Sequence, residues 1–236
     1  LFFAYSVRSF EAMEKLKQFV KKYWLALPAL LYTCIYFPWF GHLEDTVTKH
    51  YRVIYHPLDD VIPFCEVFII PYLLWFAYVV AVIVLLFFID QKSYIRCCVF
   101  MAVGMTLFLI ISTLFPNGHH LRPQVMPRDN VFTDLIAGLY LTDTSTNIFP
   151  SIHVYNSIAA HLGIAKCEAL RKYRALRFGS LILSVSIILS TVLIKQHSVL
   201  DLFGAVILAV LVYIPIYGIH RNAHVKTSHR SKHKTA

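Results

Sequence analysis

Long runs of apolar residues, parted by short polar stretches, dominate the chain. Five runs stand out, at 24–40, 64–89, 97–115, 179–194 and 198–219. They are continuous, whereas a membrane barrel strand would alternate apolar and polar positions over about ten residues. Their lengths approach or exceed the roughly 20 residues that a helix needs to cross the hydrocarbon core of a bilayer. The stretch 152–166 is shorter and more polar, with Asn156, Ser157 and His161, and is a weaker sixth span. The pattern predicts an all-α polytopic membrane protein built as a six-helix transmembrane bundle.

The ends read differently. Phe19, Val20 and Trp24 beside Lys15, Lys17, Lys21 and Lys22 predict an amphipathic N-terminal helix lying on the membrane surface. A cleavable signal peptide would place its basic residues before its apolar core, the reverse of the order here. Met13 is a candidate native start. Residues 220–236 form a basic tail, expected to be disordered and drawn to anionic lipid. The expected plan is an amphipathic segment at 1–23, a membrane domain at 24–219 and a cytoplasmic tail at 220–236.

Composition agrees with the pattern. Of 236 residues, 58% are hydrophobic and 15% charged, against about a quarter charged in an ordinary soluble domain. Cys34, Cys65, Cys97, Cys98 and Cys167 have no metal-ligand spacing and read as small packing residues. The net charge of +9 points to no nucleic acid, because position explains it. With six spans both termini share one side of the membrane. Of the 22 Lys and Arg, only Lys49, Arg52, Arg122, Arg128 and Lys195 fall on the other side. Basic residues concentrate in the cytoplasm, so both termini are expected there.

Three polar stretches then meet at the outer face: "HHLRP" at 119–123, "FPSIH" at 149–153 and "KQHSVLD" at 195–201. His197 and Asp201 are four residues apart, one helical turn, so the carboxylate can orient the imidazole and make it a better nucleophile or base. Pro150 suits the start of a helix and Ser151 is a good capping residue. The free N–H groups of such a turn attract anions, and His153 lies within it. Arg122 adds a planar, permanently charged fork suited to phosphate.

These stretches, in this order, resemble the type 2 phosphatidic acid phosphatase superfamily of membrane lipid phosphatases and phosphotransferases. Its three motifs are Lys-x6-Arg-Pro, Pro-Ser-Gly-His and Ser-Arg-x5-His-x3-Asp. Here Arg-Pro falls at 122–123, Pro-Ser-Ile-His at 150–153 and His-x3-Asp at 197–201, so the likeness covers roughly residues 97–219. The motif lysine falls at Phe115, the motif arginine at Thr191 after Ser190, and Ile152 stands in place of glycine. Pro-Ser-x-His without glycine is similar to the inositol phosphorylceramide synthase branch. Lys195 is the expected substitute for the lost cations.

The resemblance implies phosphoryl transfer in two steps through a phosphohistidine on His197, which Asp201 orients. His153 is the implied acid and then base, while Arg122, Ser151, Lys195 and the N–H groups around Ile152 hold the phosphoryl oxygens. The expected substrate is a phosphorylated lipid within a membrane, and the expected location is the plasma membrane with the site at the outer face. The scheme needs no metal or cofactor, and the oligomeric state stays open. Lipid phosphate hydrolysis is the first expectation. Transfer of the phospho-head group to another alcohol is the second, and a non-enzymatic histidine-rich transport or haem protein the third.

Other polar residues carry blander expectations. His161 is expected to be an interior hydrogen-bonded histidine, and Asn156 to support His153 or simply pack. Glu66 is expected to reach water, and His119 and His120 to be solvated or to meet the head group. Phe132, Leu135, Ile136, Leu139 and Tyr140 recur at helical spacing, which predicts either an amphipathic lid or half-helix on the outer leaflet that contacts acyl chains or plain packing.

Overall fold

The computed structural model describes Met13, Glu14, Val20 and residues 23–218. The surface helix expected within 1–23 and the tail at 220–236 lie outside the described residues, those few positions apart. The chain divides into two compact units, Leu1–Trp39 and Phe40–Ala236. Helix α1, Leu27–Thr46, runs across that division and carries Pro38 in its interior. In the first unit its apolar side chains Leu30, Leu31, Ile35 and Phe37 are exposed, as suits contact with lipid.

The second unit is a helical assembly, and it holds every motif residue. Its helices after α1 are α2 (Leu58–Val61), α3 (Ile69–Ile89), α4 (Gln91–Leu114), α5 (Val131–Thr142), α6 (Ile152–Lys166), α7 (Arg174–Leu193) and α8 (Val199–Tyr213). A 3₁₀ turn at Glu66–Phe68 leads into α3, and a π turn at Ile214–Gly218 continues α8. Among the described residues, four helices are long and apolar enough to cross a membrane: Glu66–Ile89, Gln91–Leu114, Arg174–Leu193 and Val199–Gly218. The other two predicted runs are helical but fall short on one criterion each. Helix α1 has the length, yet Pro38, His42, Glu44 and Asp45 dilute its apolarity. Helix α6 has only 15 residues, about 22 Å against a hydrocarbon core of about 30 Å.

The polarity of α6 has a packing reason. It lies among α3, α4, α7 and α8, with His153, Val154, Tyr155, Asn156, Ser157, Ala159, Ala160, Gly163 and Ile164 all buried. A helix wrapped by other helices shows no face to lipid and can carry small and polar residues that bond its neighbours. The Ser184 hydroxyl donates to the Ser157 carbonyl at 3.0 Å, and His161 Nδ1 lies 3.1 Å from the Ser180 hydroxyl. The second contact fits the expectation of an interior histidine. Close approach is essential at Gly104 on α4, where a Cβ would stand 2.1 Å from the Tyr155 ring.

Two short strands absent from the sequence reading stitch the loops at the end of the assembly that carries the motifs. Strand β1 (Arg52–Val53) pairs in parallel with β2 (Asn117–Gly118), Arg52 opposite Asn117 and Val53 opposite Gly118. Gly118 also bridges to Thr146, and a Cβ there would lie 2.8 Å from the Ser145 carbonyl. Asn117 turns this seam toward the "FPSIH" stretch: its Oδ1 accepts from the N–H groups of Ile148 and Phe149, each at 2.9 Å. Helix α5 forms where the apolar spacing predicted it, capped by Asn130 and Thr133 in a reciprocal box. Its Ile136 is fully buried against Ile69, Tyr72 and Ile194, with Phe132, Leu139 and Tyr140 packed around them.

Candidate functional site

The two motif histidines come from two helix starts that touch. Ser151 caps α6 by accepting from the Val154 N–H at 3.4 Å, and its own N–H donates to the Asp201 carbonyl at 3.2 Å. Ser198 caps α8, accepting from Leu200 N–H at 3.2 Å, while Asp201 Oδ2 accepts from the Ser198 N–H at 2.8 Å. Gly204, one turn along α8, leaves room for the Phe149 ring, which would stand 2.4 Å from a Cβ there. This arrangement brings the His153 and His197 rings to 5.6 Å between centroids. Each is buried, at 9% and 7% exposure, so a ligand bound to both would lie largely out of water.

The His197 ring is held on its Nδ1 side. Nδ1 lies 3.3 Å from Asp201 Oδ2, a long contact, and the backbone N–H donates to the Thr191 carbonyl at 3.0 Å. Burial and then the charge of Arg122 push its pKa down to about 3, against the pull of a hydrogen bond to the Ile148 backbone. His197 is therefore a neutral imidazole at ordinary pH, the form with a lone pair to donate.

His153 has a different setting. Tyr72 stacks on it at 4.6 Å and Trp75 lies across it at 4.3 Å. Its Nδ1 is buried without a hydrogen-bond partner among the described residues. Both aromatic residues sit on the first two turns of α3, a helix that otherwise reads as a plain span, and sequence reasoning passed over them. A buried tyrosine and tryptophan in one span were the available signal. Tyr72 also donates through its hydroxyl to Asp143 Oδ2 at 3.4 Å.

Arg122 reaches the site but is heavily engaged there. Its Nη1 donates to the carbonyls of Tyr140 (3.2 Å) and Asp143 (2.8 Å). Its Nη2 donates to the Thr144 carbonyl (2.6 Å) and Gln196 Oε1 (2.5 Å), and the guanidinium lies 4.5 Å over the Tyr140 ring. Nε alone is buried without a partner among the described residues. Arg122 thus closes the C-terminal end of α5 and presents one free N–H. Gln196, within the "KQHSVLD" stretch itself, completes the link: its Nε2 donates to Asp143 Oδ2 at 3.3 Å. Burial raises the pKa of the Asp143 carboxyl to about 6 despite the nearby Arg122.

Lys195 is the predicted phosphate ligand that the structure does not bring to the pair. Its backbone is left-handed, with φ of 55°, and its Nζ donates to the carbonyls of Asp59 and Ile62, each at 2.6 Å. Ile152 opens α6, where its N–H has no intrahelical acceptor by position. Two loop expectations change. His119 is fully buried, not solvated, lying 2.9 Å by Nε2 from the Gln196 carbonyl and accepting at Nδ1 from Leu121 N–H at 3.0 Å. Glu66 is buried and paired with Arg128 at 2.5 Å, because the loop before α5 folds back over the start of α3. His120 remains exposed, its ring 5.9 Å from that of Tyr51.

Among the described residues no group of three or more His, Cys, Asp or Glu is arranged to hold a metal ion. What these residues offer is a neutral imidazole with a carboxylate behind it, a second imidazole between aromatic faces, a helix start and one guanidinium N–H. Comparison with family models, curated proteins and solved structures gives no match to this chain.

Proposed function

We propose that this protein is a membrane lipid phosphate phosphatase of the type 2 phosphatidic acid phosphatase kind, acting through a phosphohistidine. The observation that carries the reading is the pair of histidines 5.6 Å apart, one backed by Asp201 and facing a serine-capped helix start. In the first step the free ring nitrogen of His197 attacks phosphorus, and the bond from phosphorus to the lipid oxygen breaks. His153 gives its proton to that oxygen. In the second step water attacks phosphorus, His153 takes its proton, and the P–N bond breaks to release phosphate. The Arg122 Nε–H and the N–H groups of Ile152 and His153 stabilise the equatorial oxygens.

The same reading takes α1 and α6 as the fifth and sixth spans, with both termini cytoplasmic and the site at the outer face of the plasma membrane. The distribution of Lys and Arg supports that orientation. A cysteine placed at exposed Gln124 should react with an impermeant thiol reagent in intact cells, and one at exposed Lys172 should not. The reverse pattern overturns the orientation.

One observation favours the second reading, transfer to an alcohol. Asp201, Asp143 and Asp59 lie on or beside the loops that carry the pair, while the two basic groups of the motif stretches, Arg122 and Lys195, are largely taken up by carbonyls. A site so poor in free positive charge suits a singly charged phosphodiester better than a dianionic monoester. The deciding experiment supplies a phosphomonoester lipid and a phosphodiester lipid separately, each with and without candidate alcohols. Phosphate released from the monoester at a rate indifferent to alcohol supports the phosphatase. Consumption of lipid only with alcohol, yielding a new phosphodiester, replaces it with the transferase. An acid-labile phosphoenzyme is expected in either case, and its absence removes both.

A further inference from the structure

The segment between α1 and α3, outside all three motifs, grips the loop that carries His197. Cys65 N–H donates to the Leu193 carbonyl at 2.9 Å. Lys195 Nζ reaches the carbonyls of Asp59 and Ile62. Asp59 then takes the other flank of the histidine: its Oδ2 accepts from the Ser198 hydroxyl at 2.7 Å and its Oδ1 from the Val199 N–H at 2.8 Å. A third bond, from His56 N–H to Oδ2 at 2.9 Å, orients the carboxylate from its own side. Asp59 is 3% exposed, so its charge sits out of water and is matched by donors at a helix N-terminus.

From this geometry we infer that Asp59 is a positioning residue for His197. The hydroxyl that Asp59 orients belongs to the residue directly after His197, and that residue's N–H holds Asp201 Oδ2. Asp201 Oδ2 is the atom facing His197 Nδ1. Asp59 therefore acts through Ser198 on both the backbone and the carboxylate partner of the imidazole. The left-handed Lys195 on the other flank is tied to the same segment, which leaves His197 suspended between two anchors supplied by residues 59–62. The inference rests on His197 being the nucleophile, but it assigns the role to a residue that no motif contains.

Asp59→Asn keeps the shape and removes one acceptor, so it should lower kcat about 10- to 100-fold with little change in KM, as expected for a misaimed group rather than lost binding. Ser198→Ala should have a similar effect, and the double variant should lose little more than the worse single one, because both act along one chain of bonds. A readout independent of turnover is the rate at which diethyl pyrocarbonate modifies His197, followed by peptide mapping with His153 as the internal reference. That rate should change severalfold in Asp59→Asn while the rate at His153 holds. Folded Asp59→Asn with the wild-type kcat and the wild-type His197 rate overturns the inference. Losses in the two single variants that simply multiply in the double variant overturn it too. If Asp59→Asn does not fold, Ser198→Ala alone decides, since unchanged rates there are equally fatal. If the wild-type protein turns over no phospholipid, the functional reading fails, and the His197 labelling rates still judge Asp59.

Discussion

His153 and His197 stand at two serine-capped helix starts, yet their surroundings are opposites. His197 is held by polar bonds, with Asp201 behind Nδ1 and the Thr191 carbonyl on its backbone N–H. His153 lies between the Tyr72 and Trp75 rings with no partner on Nδ1 among the described residues. A nucleophile needs one aim and one tautomer, which fixed polar contacts provide. An acid that must become a base needs both charge states to be tolerable. Aromatic faces stack on a neutral imidazole and attract an imidazolium. On the proposed reading the same residue type, at rings 5.6 Å apart, is fitted to two different tasks by its neighbours.

The comparison breaks most sharply on removal of either histidine. His197→Gln should lower turnover at least about 10³-fold and abolish the phosphoenzyme, since the proposed reading places the covalent bond on His197. His153→Gln should cost about 10²- to 10⁴-fold and slow both formation and breakdown of the phosphoenzyme. Rapid-quench trapping of labelled enzyme separates the two. A phosphoenzyme still forming in His197→Gln would falsify the division of roles.

Next in size is Arg122, whose charge acts on His197. Arg122→Lys keeps a charge but cannot replace a fork bonded to three carbonyls and Gln196 at once. We expect kcat/KM to fall by about 10- to 100-fold, with a lower melting temperature, since buried charge-assisted bonds are worth roughly 1.5–3 kcal/mol each. Kinetics and a detergent melting curve together measure this. Loss of activity at an unchanged melting temperature would mean that Arg122 only binds substrate.

The electrostatic part of the comparison is a stability profile. His119 and His197 are both held down to about 3, chiefly by burial, while an unfolded histidine titrates near 6.5. Each contributes stability that is whole above about 6.5 and is lost as pH falls through that value toward 3. Asp143 works in the opposite sense. Raised to about 6 from 3.8, its contribution is whole below 3.8 and is lost as pH rises through 6. The two histidines outweigh it, so the melting temperature should fall on acidification below about 6.5. Asp143→Asn should make that fall steeper; a shallower one would mean that Asp143 is ionised in the folded protein across this range.

The smallest effect is expected at Lys195. With Nζ on two carbonyls, Lys195→Met should leave KM within about twofold and lower stability by about 1 kcal/mol. A tenfold rise in KM would return Lys195 to the phosphate.

Local spacing carried the legible part of the site. Ser151, His153, Ser198 and Asp201 lie within a turn or so of each other along helix starts, and helix geometry dictates which of them meet. The apolar runs were legible for the same reason, because the period of a helix is written in consecutive residues. What they could not reveal was how far each neighbour would wrap it. Helix α6 looked like a weak span because its polar residues answer to four surrounding helices rather than to lipid. Lys195 reads as a phosphate ligand in the sequence because its charge is local, while its carbonyl partners at Asp59 and Ile62 are 136 and 133 positions away.

The sequence by itself determined an apolar helical protein with two histidines at adjacent helix starts, since capping, periodicity and the i,i+4 step are short-range physics. Only the tertiary structure decided that Tyr72 and Trp75 enclose His153, that the Arg122 fork closes α5, and that Asp59 holds the His197 loop. Those contacts join residues 18 to 140 positions apart or depend on which face of α3 turns inward. No local period encodes such pairings; they follow from the packing of whole helices and from the demand that every buried charge find its donors.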